Sequence, residues 1–236
     1  MDFIEILKII TAVLALMIAI IGHEIMHGYI AYKYGDMTAK NAGRLSINPL
    51  LHVDFVGTII VPFTMYFLPL LLGMGGGFVF GWAKPVPVDM RTVINKGGYN
   101  AAMQVSLAGI VYNFALAAFA SIVFFNLSTP LLADSSLYKF FYLLMAYLVF
   151  INVLLGVFNL LPIPQFDGAH FLMYLALKFN LREVAETFYR LERYGMIIVL
   201  IVIMTPLRNY FIWGPVDAVL SLLLPPELVQ NLLLSL

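Results

Sequence analysis

Long uncharged apolar runs dominate the pattern of hydrophobic and polar positions along the chain. They occupy residues 9–22, 55–83, 100–133 and 140–166, and the helical pattern of the first continues to about residue 31. A helix needs about 20 apolar residues to cross the roughly 30 Å hydrocarbon layer of a bilayer. Each of these four stretches is therefore long enough to be a membrane span.

Proline and glycine interrupt the second of these runs. Pro62 and Pro69 break it, and the sequence Gly-Met-Gly-Gly-Gly at 73–77 nearly removes its side chains. Non-helical backbone at membrane depth persists only where it is buried in protein or lines a cavity. Residues 55–83 are therefore predicted to form a re-entrant loop, or a span that ends in an extended segment.

Two further features complete the predicted architecture. A fifth apolar region, 194–226, contains Pro206 and predicts one kinked span or two short ones. The segments 38–47 and 82–88 have the polar, proline- and glycine-containing character of short interfacial strands.

Together these patterns predict an all-α multi-pass membrane protein with a bundle of about 4–6 spans. A re-entrant or β-like element is expected near the cytoplasmic interface. We expect a single membrane-embedded domain over residues 1–236, with its core at about 5–180 and C-terminal apolar helices at about 194–234.

The composition supports a membrane setting and limits the chemistry. Of the 236 residues, 62% are hydrophobic and 11% are charged, against about 45–50% and about 25% in a soluble domain. The net charge is zero and there is no basic run, so no nucleic-acid partner is expected. The chain has no cysteine, and any metal must therefore be held by His, Asp or Glu.

Basic residues predict the orientation in the cell membrane. They cluster after the first span, before the third and after the fourth, and the positive-inside rule assigns such clusters to the cytoplasm. The clusters are Lys33, Lys40 and Arg44, then Lys84, Arg91 and Lys96, and finally Lys178, Arg182, Arg190 and Arg193. The first helix would then end inside, which places residues 23–27 toward the cytoplasmic side.

The sequence His23-Glu24-Ile25-Met26-His27 lies in this first span. A carboxylate at the centre of a spanning helix costs about 2.5–3.5 kcal/mol on insertion scales, so such a residue is a functional candidate. Histidines four residues apart share one helix face and can bind one zinc ion. Glu24 would then face the water that zinc activates and act as general base.

Two histidines leave a catalytic zinc one protein ligand short. The acidic and histidine candidates are His52, Asp54, Asp89, Asp134, Asp167 and Asp217. Asp167 is the best placed, because Pro162 and Pro164 end the fourth apolar run and Gly168 permits a close approach of the main chain. The alternative is that Asp167 only caps the helix that follows.

The chain resembles the site-2 protease family of intramembrane zinc metalloproteases, in its compact form without appended domains. Residues 159–168 read Asn-Leu-Leu-Pro-Ile-Pro-Gln-Phe-Asp-Gly, and the resemblance extends to 48–54, 81–88 and Ala108-Gly109 with Asn113. Ile110, Gln165-Phe166 and Ala169 depart from the family pattern without removing a ligand.

The resemblance implies that one Zn²⁺ per chain is held by His23, His27 and Asp167, with Glu24 as the general base. It also implies that Asn159 contacts the extended substrate. A weaker hypothesis gives His52 a substrate-binding role at the oxyanion, against a capping role. Hydrogen bonding across helices and a role in the site stay open for Asn113 and Asn152.

The predicted function is hydrolysis of a peptide bond within or near a transmembrane helix of a membrane-protein substrate, as in regulated intramembrane proteolysis. The expected surroundings are the lipid bilayer and a membrane-bound regulator. The principal alternative is a membrane metal-ion transporter that uses the same His/Asp cluster, although no second copy of the histidine helix is apparent. An inactive relative that only binds membrane helices is a second alternative.

Overall fold

The computed structural model describes residues 3–61, 63–64, 83–127 and 135–229, and the regular elements in these ranges are helical. The helices are α1 (Phe3–Lys33), α2 (Thr38–Asn41), α3 (Met90–Leu127), α4 (Ser136–Leu160), α5 (Asp167–Lys178), α6 (Arg182–Leu191), α7 (Gly195–Met204) and α8 (Gly214–Leu223). Short 3-10 turns lie at Pro49–Leu51 and Glu192–Tyr194, and π-helical turns at Phe55–Ile60 and Asn209–Trp213. The prediction of an all-α protein is confirmed.

Three of these helices, α1, α3 and α4, are long and apolar enough to cross a membrane. The segments Arg182–Met204 and Asn209–Leu223 form a further bent pair, with 89° between them, that counts as a fourth span if it crosses as one unit. Among the described residues, four spans agree with the lower end of the predicted range of about 4–6, and three are one fewer. Most of the predicted re-entrant loop, residues 62 and 65–82, lies outside the described residues.

The prediction of short strands at 38–47 and 82–88 is wrong for the part of these segments that the structure describes. Residues 38–41 form α2, which follows a turn held by Asp36, whose carboxylate accepts a hydrogen bond from the Thr38 amide at 2.9 Å. Residues 83–88 are extended but have no strand partner among the described residues. Proline has no amide hydrogen, so Pro85 and Pro87 cannot donate two of the hydrogen bonds that a β-ladder would need. The strand predicted from the composition of this segment is therefore not formed.

The segment 83–88 is instead fixed by individual contacts. The Lys84 amide donates to the His52 carbonyl at 3.0 Å, and Arg44 Nη2 donates to the Lys84 carbonyl at 2.7 Å. Val86 packs near Gly28, where an added Cβ would lie 2.8 Å from a Val86 methyl carbon. This extended segment therefore runs alongside the C-terminal part of α1.

Helix α3 is the centre of the bundle, because it packs against α1, α4 and α5. The Asp89 carboxylate caps its start by accepting hydrogen bonds from the Thr92 hydroxyl at 2.7 Å and the Arg91 amide at 3.1 Å. The Thr92 hydrogen bond lowers the pKa of this carboxyl. Gly98 then kinks the helix with φ 64° and ψ −165°, a conformation that glycine adopts without steric cost.

Side-chain size is distributed as expected for helices in lipid. Ala15 and Ala19 of α1 and Ala117 of α3 are fully buried, whereas Phe119 and Ile122 of α3 are 62% and 64% exposed. Small residues let membrane helices approach closely, and large apolar residues on the outside avoid contact with water when lipid surrounds them. The pattern supports the assignment of these helices as membrane spans.

Candidate metal centre

The first half of the candidate centre is a pair of histidines on one face of α1. His23 and His27 are one helical turn apart, and their Nε2 atoms are 3.0 Å from each other. The His23 ring lies directly against α3 at Gly109, where an added Cβ would be 2.4 Å from the ring Cε1. Only glycine at this position lets the ring occupy this place between α1 and α3.

Asp167 supplies the other half from the first turn of α5. Its Oδ2 lies 3.0 Å from His23 Nε2 and 3.2 Å from His27 Nε2. The chain reaches this position by turning sharply after α4, and Gly168 packs on the end of that helix. A Cβ on Gly168 would lie 2.3 Å from the Leu160 carbonyl oxygen, so glycine is required for Asp167 to be this close to α4.

The hydrogen bonds of the two rings show which nitrogens face the centre. His23 Nδ1 lies 2.7 Å from Asn113 Oδ1, and His27 Nδ1 lies 2.7 Å from the Val105 carbonyl oxygen. Both partners are acceptors, so both Nδ1 atoms carry the proton in the neutral rings. The two Nε2 lone pairs of the neutral rings therefore converge with the Asp167 carboxylate, and these groups repel one another unless a metal ion or a proton lies between them.

The remaining geometry fits a tetrahedral ion. Asp167 Oδ2 is buried and makes no hydrogen bond of normal geometry to the part of the chain that the structure describes, although both Nε2 atoms are close. Ligand atoms about 2.0–2.1 Å from a tetrahedral zinc are about 3.3 Å from one another, and the three separations here are 3.0, 3.0 and 3.2 Å. Three protein ligands also leave one position for water or substrate, as in catalytic zinc sites. The donor set is therefore suited to zinc.

The carboxylate of Glu24 lies beside this group and is held by the extended segment. Glu24 follows His23 directly on α1, and its Oε2 accepts a hydrogen bond from the Val86 amide at 2.8 Å. This contact uses one carboxylate oxygen and fixes the orientation of the side chain. The structure thus brings together the three predicted metal ligands with Glu24 adjacent in the chain, while their catalytic and ligand roles stay predictions.

The two predicted substrate-binding residues are placed differently. Asn159 ends α4 near Asp167, and its Nδ2 donates to the Leu155 carbonyl of its own helix at 3.0 Å. His52 is buried, and its Nε2 contacts the Ser46 carbonyl at 2.8 Å. Neither side chain has a recorded contact with the metal group among the described residues, and both substrate roles stay predictions.

Sequence reasoning singled out Gly109 and Asn113 but did not predict that this part of α3 seats the histidines, and it did not identify Val105. Gly109 accommodates the His23 ring, Asn113 contacts its Nδ1, and the Val105 carbonyl contacts His27. The sequence contained a signal for this surface, because positions 105, 109 and 113 follow one another at intervals of four residues and therefore share one face of a helix. The pairing of that face with the histidine face of α1 is a long-range contact that the pattern does not reveal.

Comparisons with known proteins show the family to which the chain is similar. A model of Peptidase family M50 matches residues 128–203, which include Asn159 and Asp167. The chain is 35% identical over 211 residues to "Putative zinc metalloprotease YwhC" of Bacillus subtilis, covering 87% of this chain and 85% of the relative. It also resembles "Putative zinc metalloprotease Rip2" of Mycolicibacterium smegmatis, at 30% identity over 79% of this chain.

The Rip2 proteins are longer than the matched region. The alignment covers 64% of the Mycolicibacterium smegmatis protein and 66% of Rip2 from Mycobacterium tuberculosis, to which this chain is 27% identical. No solved structure matches the chain significantly.

Proposed function

The chain belongs to peptidase family M50, and we propose that it is an intramembrane zinc endopeptidase that cleaves a membrane-protein substrate within or near a transmembrane helix. The observation that carries the proposal is the buried convergence of two Nε2 lone pairs and the Asp167 carboxylate, at separations of 3.0–3.2 Å, beside Glu24. The surrounding helices are apolar enough to place this polar group within the bilayer.

The proposed roles follow from the position of each group. His23, His27 and Asp167 hold one Zn²⁺ per chain, which joins α1 to α5. When bound, zinc supplies Lewis acidity that polarises a carbonyl oxygen and brings the pKa of a coordinated water near 7. Glu24 is the general base, and the Val86 amide keeps its carboxylate pointed in one direction.

Peptide hydrolysis then proceeds with the proton carried by Glu24. Its carboxylate accepts a proton from water as the water oxygen bonds to the substrate carbonyl carbon. The proton passes to the amide nitrogen as the C–N bond breaks, which yields a carboxylic acid and an amine; the acid then gives its proton to the amine, leaving a carboxylate and an ammonium group. Asn159, at the end of α4 near Asp167, is proposed to bind the substrate strand, and His52 to support it through the segment that it anchors at Lys84.

The location of the site sets what the substrate must do. His23 lies ten residues before the end of α1, or about 15 Å at 1.5 Å per residue. The basic residues beyond that end support a site in the cytoplasmic half of the membrane, by the positive-inside rule. A substrate helix hides its carbonyls in internal hydrogen bonds, so it must unwind locally before cleavage. This geometry suits a single-pass substrate in regulated intramembrane proteolysis.

A substitution at Glu24 tests the mechanism. Glu24→Gln should keep stoichiometric zinc and abolish cleavage, because the amide cannot accept the proton. The assay uses the purified protein in liposomes with a panel of epitope-tagged single-pass helices, and zinc is measured by elemental analysis. The control is Glu186→Gln, an exposed glutamate on α6 paired with Arg190, which should cleave normally. Wild-type cleavage by Glu24→Gln would disprove the proposed base.

A second pair of measurements tests the ligands and separates protease from transporter. Asp167→Ala should lose zinc, and unchanged zinc content would mean that the third ligand is wrong. The same liposomes, loaded with a zinc-sensitive dye, report transport. Zinc flux in Glu24→Gln without cleavage by the wild-type chain would favour a transporter that uses the same cluster.

A further inference from the structure

A buried chain of two asparagine amides leads from α4 to the His23 ring. Asn113 and Asn152 are both fully buried, and Asn113 Nδ2 donates to Asn152 Oδ1 at 2.8 Å. Asn113 Oδ1 in turn contacts His23 Nδ1 at 2.7 Å. The three side chains come from α1, α3 and α4, so this relay joins the helices that surround the site.

The direction of every hydrogen bond in the relay is fixed by two backbone carbonyls. Asn152 Nδ2 donates to the Leu148 carbonyl at 2.8 Å, and Asn113 Nδ2 donates to the Ala19 carbonyl at 3.4 Å. A carbonyl can only accept, so each amide must present its NH₂ group to its carbonyl. Rotating either amide by 180° would set oxygen against oxygen in a buried site and leave buried polar groups without hydrogen bonds, which is unfavourable.

This directionality extends to the metal group. Because Asn113 offers only its oxygen to His23, the neutral ring must carry its proton on Nδ1 and keep the Nε2 lone pair toward Asp167. His27 is fixed in the same tautomer by the Val105 carbonyl, a main-chain group. The tautomer of His23 therefore depends on the side chains of Asn113 and Asn152. The tautomer of His27 depends on a main-chain carbonyl and on no other side chain in this relay.

We propose that Asn113 and Asn152 are positioning residues that set the tautomer and ring orientation of His23 and thereby the zinc affinity of the centre. This inference rests on the proposed function, because it takes His23 as a metal ligand. It goes beyond the role of polar residues that only hold membrane helices together by hydrogen bonds.

The first readout is zinc affinity, measured by competition with a chelator of known affinity. Asn113→Leu, which keeps the side-chain size but has no acceptor, should lower zinc affinity about ten- to hundredfold, as for other groups that orient metal-bound histidines. Asn152→Leu should cause a smaller loss of zinc affinity. In this variant Asn113 still offers its oxygen to His23, but its NH₂ group is held only by the longer contact with the Ala19 carbonyl. Asn113→Asp retains an acceptor for Nδ1 and should keep more of the affinity than Asn113→Leu.

The second readout is the tautomer itself in the zinc-free, ¹⁵N-histidine-labelled protein. Two-bond ¹H–¹⁵N correlations distinguish a proton on Nδ1 from one on Nε2, and the chain has only 4 histidines to assign. Wild-type His23 should show the proton on Nδ1. Asn113→Leu and Asn152→Leu should show a mixture, an effect that simple loss of helix packing would not produce.

The control is Ser106→Ala in the same helix. Ser106 is buried, and its hydroxyl donates only to the Ala102 carbonyl one turn away, so removing it should change neither zinc affinity nor the His23 tautomer.

The outcomes distinguish this inference from the function on which it rests. If the wild-type protein binds no stoichiometric zinc, the proposed function fails. If the wild type binds zinc, and Asn113→Leu and Asn152→Leu keep both its affinity and the Nδ1 proton, the relay fails while the proposed function stands. If Asn113→Leu does not fold, Asn152→Leu and Asn113→Asp decide by the same two measurements.

Discussion

The contact between Gly109 and the His23 ring gives a prediction that can be worked from the structure. In Gly109→Ala the new Cβ would lie 2.4 Å from Cε1 and 2.5 Å from both ring nitrogens. Ordinary contacts of this kind are about 3.5–4.0 Å, so the ring must retreat by about 1 Å or more. Metal–ligand distances tolerate only about 0.2 Å, so a ring displaced this far no longer holds its ligand position.

The size of the effect follows from the two ways of relieving the clash. Holding the ring in place means overpacking, which costs about 1–3 kcal/mol, and releasing it means losing one ligand. Either way zinc affinity should fall at least about tenfold, equivalent to about 1.4 kcal/mol, with a matching loss of cleavage. Affinity is measured by chelator competition and cleavage in liposomes.

Gly97→Ala is the matched control, twelve residues earlier in the same helix. Its Cβ would lie 2.8 Å from the Tyr34 ring, just beyond the end of α1. The clash is therefore with an aromatic ring and not with one of the proposed metal ligands. It should lower the unfolding temperature and leave zinc affinity unchanged. Wild-type zinc affinity in Gly109→Ala, or an equal loss in Gly97→Ala, would refute the reasoning.

Three other outcomes follow from the structure. Val86→Pro removes the amide that holds Glu24, so it should reduce cleavage and leave the zinc content unchanged. Val86→Ala keeps this amide, and equal cleavage rates for the two variants would show that the contact is dispensable. The chain lacks cysteine, so a single cysteine introduced as Arg182→Cys or Ser136→Cys can be labelled in intact cells. A membrane-impermeant maleimide should label only Ser136→Cys, and labelling of only Arg182→Cys would show that the proposed topology is inverted. Chelating zinc should lower the unfolding temperature of the wild type, because a ligand at 1,000 times its Kd stabilises by about 4.1 kcal/mol; Asp167→Ala should not respond, and an equal response would place the metal elsewhere.

The local part of the site could be predicted from the sequence, because it depends on geometry within one element. Residues four apart on a helix share a face, so the spacing of His23 and His27 is enough to place the two rings side by side. The position of Asp167 after a proline-rich helix end is similarly local, and the structure places it 3.0 Å from His23 Nε2. The apolar character of whole spans is also local, and the three long helices agree with it.

The contacts between elements could not be predicted in this way. The contact between the His23 ring and Gly109 depends on how α3 is aligned along α1. The pattern of residues within a single helix does not contain this information. The strand prediction at 82–88 failed for a related reason, because an extended sequence becomes a strand only if a partner supplies a ladder. Here Glu24 and Arg44 side chains take hydrogen bonds that a neighbouring strand would otherwise make.

These contacts indicate how the bundle and the metal group depend on each other. Helices in lipid gain no hydrophobic driving force from packing together, so they rely on close contact of small residues and on polar links. Helix α1 has both toward α3, through its buried alanines and through the His23–Asn113 contact. Helix α1 meets α5 at the candidate ligand group, in which two Nε2 lone pairs face the Asp167 carboxylate and repel it unless a metal ion or a proton lies between them. A metal ion held by these three residues would therefore add a link between α5 and α1 to the packing of both helices against α3.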